Sequence, residues 1–274
     1  MELTDNKHVN LTAYEDVELL TNFTEARFQS YCDDKLASCD KHITFIKERC
    51  ITTQWSGRVC EIGSGNSKLL YKLEKEGLVT EALGIEISQS RYDFAEKFRL
   101  YIESVKVTNI NKNLFDIKPL SNLDLIMGVD IVLQLIAPIS QSAQSDTLKW
   151  CYDSLSDGGF LILELWDFKN VKEQLELCNG QLNTWKEFPD SDPFEYILCD
   201  VTVDSTNDLV WNKTFLKRNS NERSCFKNIL RPYSRETITQ LLTNMGFRSI
   251  QIFDSWCVGA AVDDHGEYIV LAQK

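Results

Sequence analysis

The chain has 274 residues, 43% of them hydrophobic, enough to bury a core without disulfide or metal staples. Its 29 Lys and Arg stand against 41 Asp and Glu, a formal net charge of −12 with no basic block, which argues against a protein that grips phosphate backbones. The longest apolar stretches, near residues 125–132 and 160–165, fall well short of the roughly 20 residues that a membrane helix needs.

Residues 1–16 are polar and acidic and lack the basic-then-apolar order of a signal peptide, so a cytoplasmic, reducing setting is expected. The nine cysteines are odd in number, scattered, and without a C-x-x-C pair or nearby histidines. They read as free thiols, mostly buried, and no metal site is expected. Three N-x-S/T tripeptides, at Asn10, Asn22 and Asn212, are chance matches in that setting.

Apolar residues at three-to-four spacing predict helices over 14–28 and 28–49, an N-terminal helical layer ending near residue 55. After Ser56-Gly57, short apolar runs alternate with amphipathic segments, the pattern of βαβ units on a parallel sheet. Strands are expected at 58–62, 82–87, 105–109, 123–129 and 159–165. Helices are expected at 68–76, 89–102, 132–139 and 146–155. The alternation breaks over 166–231, where a polar helical piece runs to Leu182 and a β-hairpin pairs 195–204 with 209–217. It resumes with a helix at 234–245, opened by Ser234 and closed by Gly246, and strands at 248–255 and 267–272. The expected architecture is α/β: a Rossmann-like, seven-stranded, mostly parallel sheet with an antiparallel last strand, an N-terminal helical cap and an inserted hairpin over the strands' carboxyl ends. The domain reading is a cap over 1–55 and one domain over 56–274, with an insertion around 166–231.

The stretch from Val59 to Ser67, VCEIGSGNS, is a buried strand followed by a turn of small residues and then a helix from about Lys68. Gly63 and Gly65 let a ligand approach the backbone closely. A dinucleotide site of the G-x-G-x-x-G kind wants glycine where this chain has Lys68, which weakens a nicotinamide reading. Glu86 ends the second strand 21 positions beyond Gly65, where an acid accepts both hydroxyls of a ribose. Asn113-Leu114-Phe115-Asp116 follows the third strand, with apolar side chains for a purine face and an Asp for an exocyclic amine. Plain alternatives stand beside each: a tight turn for the glycines, a solvated strand end for Glu86, turn chemistry before Lys118-Pro119 for Asp116 and helix capping for Asp130.

In the order of these features the chain resembles the class I S-adenosylmethionine-dependent methyltransferases, over roughly residues 58–274. The E-x-G-x-G turn, the acidic end of strand two, the Phe-Asp after strand three, the strand end at Asp130 and the Ser156-Asp157-Gly158-Gly159 turn all fit, with Ser67 departing where many members have a third glycine. The resemblance implies S-adenosylmethionine as cofactor. Gly63 and Gly65 would back its methionine and ribose portions, Glu61 would help hold its amino group, and Glu86 would bind the ribose. Asp116 would take the adenine amine between Leu114 and Phe115, and Gly128, Val129 and Asp130 would line the methionine end.

Methyl transfer from a sulfonium needs alignment and exclusion of water, and a dedicated base is optional. Candidates near the carboxyl edge are Tyr14, Glu164, Trp166, Asp167 and Tyr233, each with a packing alternative; His265, between Asp264 and Gly266, reads as part of an exposed turn. The expected reaction is methylation of an amine or hydroxyl of a small-molecule metabolite by a monomer or homodimer, without nucleic-acid or membrane partners. The rivals are a protein or RNA methyltransferase and a catalytically inactive, methyltransferase-like interaction subunit.

Overall fold

The computed structural model describes residues 17–257 and 266–274. Its centre is a seven-stranded sheet built from β1 (Arg58–Ile62), β2 (Glu81–Glu86), β3 (Val107–Asn111), β4 (Leu123–Gly128) and β5 (Leu155–Trp166), completed after the insertion by β10 (Arg248–Phe253) and β11 (Glu267–Gln273). The strand order is β10-β11-β5-β4-β1-β2-β3. Pairings among β1 to β5 are parallel, and β11 runs antiparallel to both β5 and β10. The order reverses between β1 and β4, so the turns after these two strands flank the crevice where open α/β sheets take their ligands.

The strands are apolar on both faces because each face carries helices. On one side α1 (Glu25–Ala37), α2 (Asp40–Arg49), α3 (Lys68–Lys75) and α4 (Gln89–Tyr101) share a core with Val59, Leu125, Met127 and Ile269. On the other, α5 (Val132–Ile136), α6 (Ala143–Ser154) and α8 (Arg235–Met245) bury Cys60, Ile62, Ile126 and Val270. The N-terminal helices thus contribute to the same core as the sheet. Among the described residues no helix is long and apolar enough to cross a membrane. Six cysteines are buried, and Cys178, Cys225 and Cys257 are exposed.

Two stretches depart from the sequence reading. The helix expected over 28–49 is two helices, because the Ser38 hydroxyl and the Cys39 thiol both bond the Lys35 carbonyl and end the first. It begins only after Thr24, whose side chain caps the Arg27 amide. The insertion is larger than a hairpin. Helix α7 (Lys169–Leu177) leads into an antiparallel sheet of β6 (Leu182–Glu187), β7 (Phe194–Val203), β8 (Leu209–Lys217) and β9 (Arg223–Leu230). The expected hairpin is its central pair.

A single buried glutamine clasps both ends of this insertion. The Gln134 side chain donates to the carbonyls of Trp166 and Arg231 and accepts the Trp166 amide. Arg231 also forms a two-pronged pair with Asp208, at 3.0 and 2.9 Å. Ile131, just beyond β4, packs with Phe168, Val201, Leu209 and Leu230, which sets the inserted sheet beside the carboxyl end of the central one.

Candidate cofactor and acceptor site

The turn after β1 is built from left-handed residues. Gly63, Gly65 and Ser67 all have positive φ, at 61°, 54° and 58°. Ser67 therefore adopts the conformation for which glycine is the usual choice, and its hydroxyl, donating to Asn109 Oδ1 at 2.7 Å, helps hold it there. The room for that contact comes from Gly84 of β2, where a Cβ would lie 2.7 Å from Ser64 Oγ and 2.8 Å from Ser67 Oγ. Gly84 is a site-shaping residue that the sequence reading left aside. Its alternation in β2 marks it only once β1 and β2 are known to pair in this register.

Glu86 closes the turn from the second strand. One carboxylate oxygen accepts the Gly65 amide at 2.7 Å and the other accepts the Ser88 amide at 2.8 Å. Each oxygen keeps further acceptor capacity, as a ribose diol requires. Beside it runs a mostly apolar groove lined by Gly63, Ile87, Leu114, Phe115, Val132 and Ile136, with Arg91 and Asn113 among its polar lining. Leu114 and Phe115 line this groove as expected. Asp116, in contrast, is exposed and outside its lining: residues Leu114–Asp116 form one 3-10 turn, capped by Asn113, that carries Asp116 to the surface.

Glu61, next to last in β1 and outside that groove's lining, is buried, with Oε2 lacking a hydrogen-bond partner among the described residues. Burial pushes its pKa up to about 8, against the pull of Lys68 and with the help of Asp130, Glu86 and Glu164. An orphaned, proton-holding carboxylate in this position fits an incoming ammonium. Gly128 and Val129 are buried behind it, and two successive left-handed residues, Asp130 and Ile131, turn the chain out of β4. Such strain in a β-branched residue is kept at sites where direction matters. The Asp130 side chain retains 77% of its surface and lies 4.0 Å from Lys68. Although burial raises its pKa, Lys68, Arg91, Lys35 and His42 outweigh this and keep it low.

The catalytic candidates separate. Glu164 is fully engaged: its oxygens accept the Asp130 amide at 2.7 Å and the Trp256 indole at 2.9 Å, so it positions Asp130. Trp166 packs against Phe168 and Trp211 where the central sheet hands over to the inserted one. Tyr233 lies outside the groove's lining; it is buried in the core that α5, α6 and α8 share, donating to Gln144 and accepting Tyr268 through its carbonyl. Asp167 caps the Lys169 amide. Tyr14 and His265 lie outside the described residues.

Residues that the sequence reading did not pick out complete the crevice. Glu18, buried, accepts hydrogen bonds from Tyr31, Asn66 and Arg91 at 3.0, 2.7 and 3.1 Å, tying the segment before α1 to the glycine turn and to α4. Lys68, where a dinucleotide site has glycine, points its cation towards Asp130.

No protein-family model matches the chain. Carboxy-S-adenosyl-L-methionine synthase of Nautilia profundicola is 24% identical over 200 residues, 73% of each chain. An S-adenosylmethionine-dependent methyltransferase from Clostridium acetobutylicum superposes with a TM-score of 0.71 at 16% identity, covering 89% of this chain and 96% of its own. CalS10, a SAM-bound amino pentose methyltransferase from Micromonospora echinaspora, does so with a TM-score of 0.60 at 11% identity, covering 92% and 98%. The fold is that of the class I S-adenosylmethionine-dependent methyltransferases.

Proposed function

We propose that the protein is an S-adenosylmethionine-dependent methyltransferase that acts on an amine or hydroxyl of a small molecule. The observation that carries this reading is the set of groups gathered at the carboxyl ends of β1 and β2: an apolar slot, the Glu86 carboxylate that lines it and is locked to the glycine turn, and the buried, unpartnered Glu61. These match a purine face, a ribose diol and an ammonium. Leu114, Phe115 and Val132 would sandwich the base, Glu86 the ribose, and Glu61 the amino group, with Lys68 available to the methionine carboxylate.

The bound cofactor supplies a methyl group on a sulfonium, activated for in-line displacement. An acceptor would take that methyl group, leaving the carbon–sulfur electrons on sulfur, and its proton would pass to water or to Asp130. The protein's part is to align the two and to exclude water. The N-terminal cap read over 1–55, of which α1 and α2 are described, and the insertion around 166–231 would enclose the acceptor. The fold likeness to an amino pentose methyltransferase supports a small amine-bearing acceptor. Calorimetric titration with S-adenosylhomocysteine, with NADH as control, tests the reading: saturable binding of the first alone supports it. A folded protein that binds neither would point instead to an interaction subunit.

A further inference from the structure

We propose that Asn109, in β3, is a positioning residue for the cofactor turn: by holding Ser67 left-handed it does there what a third glycine would do. This rests on the methyltransferase reading above and concerns the same site. Asn109 pairs across the sheet with Gly84 of β2, and the missing side chain at Gly84 lets it reach the turn after β1. A Cβ at Gly84 would fall 2.7, 2.8 and 2.9 Å from Ser64 Oγ, Ser67 Oγ and Asn109 Oδ1. These three polar atoms occupy the space that a side chain would take.

The direction of the Ser67 contact follows from what surrounds the amide. Asn109 Nδ2 donates to Glu96 Oε1 of α4 and to the Tyr71 hydroxyl of α3, both at 2.8 Å. A carboxylate oxygen only accepts, and the other oxygen of Glu96 is engaged by Arg99 at 3.1 Å. Tyr71 gives its proton to the Ala95 carbonyl at 2.6 Å, which leaves its oxygen to accept as well. Both groups demand an N–H, so the amide is held one way round and Oδ1 faces the turn as an acceptor. The fully buried Ser67 hydroxyl then donates to it, at 2.7 Å. That bond pins the side chain of a residue at φ 58°, a conformation that costs any residue with a Cβ. Ser67 stands between Asn66, whose side chain donates to Glu18 and accepts the Lys68 amide, and Lys68 itself at the start of α3. A turn that relaxes at Ser67 therefore moves its neighbours on both sides. Without the Asn109 acceptor the free protein would spend part of its time with the turn out of shape, and cofactor affinity would fall by that fraction.

The test measures S-adenosylhomocysteine affinity by calorimetry and stability by urea unfolding, for the wild type, Asn109→Ala, Ser67→Ala, Ser67→Gly and the double variant Asn109→Ala with Ser67→Gly. Asn109→Ala should weaken binding about tenfold when Ser67 is present and by less than about threefold in the Ser67→Gly background, because glycine takes the left-handed conformation unaided. The urea midpoint should fall in both backgrounds, since Glu96 and Tyr71 lose their donor in each; affinity is rescued and stability is not. Ser67→Ala should bind about tenfold more weakly than Ser67→Gly, a comparison that stands by itself if the Asn109 variants do not fold. Equal loss of affinity in the two backgrounds overturns the proposal by making Asn109 a packing residue. It is overturned too by an Asn109→Ala variant that binds like the wild type, or by Ser67→Ala binding as tightly as Ser67→Gly. A wild type that does not bind S-adenosylhomocysteine defeats the methyltransferase reading itself, and this inference with it.

Discussion

Glu86 accepts the Gly65 amide at 2.7 Å, so the acid that ends β2 and the turn that follows β1 form one rigid unit. The second oxygen holds the Ser88 amide at the start of α4. Glu86→Ala therefore removes the proposed ribose ligand and leaves two backbone donors without their charged acceptor. The expected cost is about 2–4 kcal/mol of stability, larger than a solvated strand-end acid would carry, together with a loss of S-adenosylhomocysteine affinity. Urea unfolding and calorimetry on the same variant check both; a variant as stable as the wild type would show that water replaces the carboxylate at these amides.

Gly63 meets two constraints at once. Its φ is +61°, and a Cβ there would come within 2.7 and 2.9 Å of the methyls of Val132. Gly63→Ala should destabilise the protein by about 2–3 kcal/mol, roughly 1–2 of it from the left-handed backbone. Shortening Val132 to Ala removes the clash and leaves the backbone cost. In a double-mutant cycle by denaturant unfolding, the pair should therefore be less destabilised than the sum of the singles by about 1 kcal/mol. Strict additivity would place the whole effect in the backbone.

Glu61 predicts how cofactor binding responds to pH. Burial raises its pKa to about 8, so at pH 6 the free protein carries it protonated, and it must lose that proton to receive an ammonium. Affinity for S-adenosylhomocysteine should rise about tenfold or more between pH 6 and pH 8, with proton release on binding, and level off above. For the unliganded fold the sign is opposite: a carboxyl whose pKa is raised on folding costs stability as pH climbs from 4.5 towards 8. Lys68, Asp130, Glu86 and Glu164 surround the group and set the midpoint together. Glu61→Gln should flatten the profile; a Gln variant with the same slope would move the titration to another residue.

The central sheet was legible because apolar runs and small-residue turns are local signals. β1 came out to the residue, and β2, β4 and α3 within one or two positions. The outer strands of the insertion were not legible. β6 is exposed along most of its length, and β9 alternates only partly, so neither presents the apolar run of a core strand. Asp116 falls outside the groove's lining because one 3-10 turn decides which way a side chain faces, and residue spacing alone cannot carry that. Glu18 escaped notice for a different reason: it gains its meaning from partners far away in the chain, such as Arg91. Lys68 reads in the sequence only as a missing glycine, although its cation lies 4.0 Å from Asp130.

The Glu18 contacts make the segment before α1 a closure over the turn. Burial alone would raise the Glu18 pKa, but Arg91, Lys35 and the hydrogen bonds from Asn66 and Tyr31 outweigh it and hold it below the ordinary value of 4.5. A carboxylate depressed on folding contributes stability that is present above its unfolded pKa and lost as pH falls through the folded one, so this closure should hold at neutral pH and loosen below 4.5. Glu18→Ala takes the acceptor from three donors at once, and the expected loss is about 2–4 kcal/mol. Because Arg91 also lines the groove, the variant should release S-adenosylhomocysteine faster, with the change in koff rather than in kon. Stopped-flow displacement followed by tryptophan fluorescence measures this directly. An unchanged koff alongside the lost stability would make the Glu18 contacts a fastening of the helical layer with no part in closing the crevice.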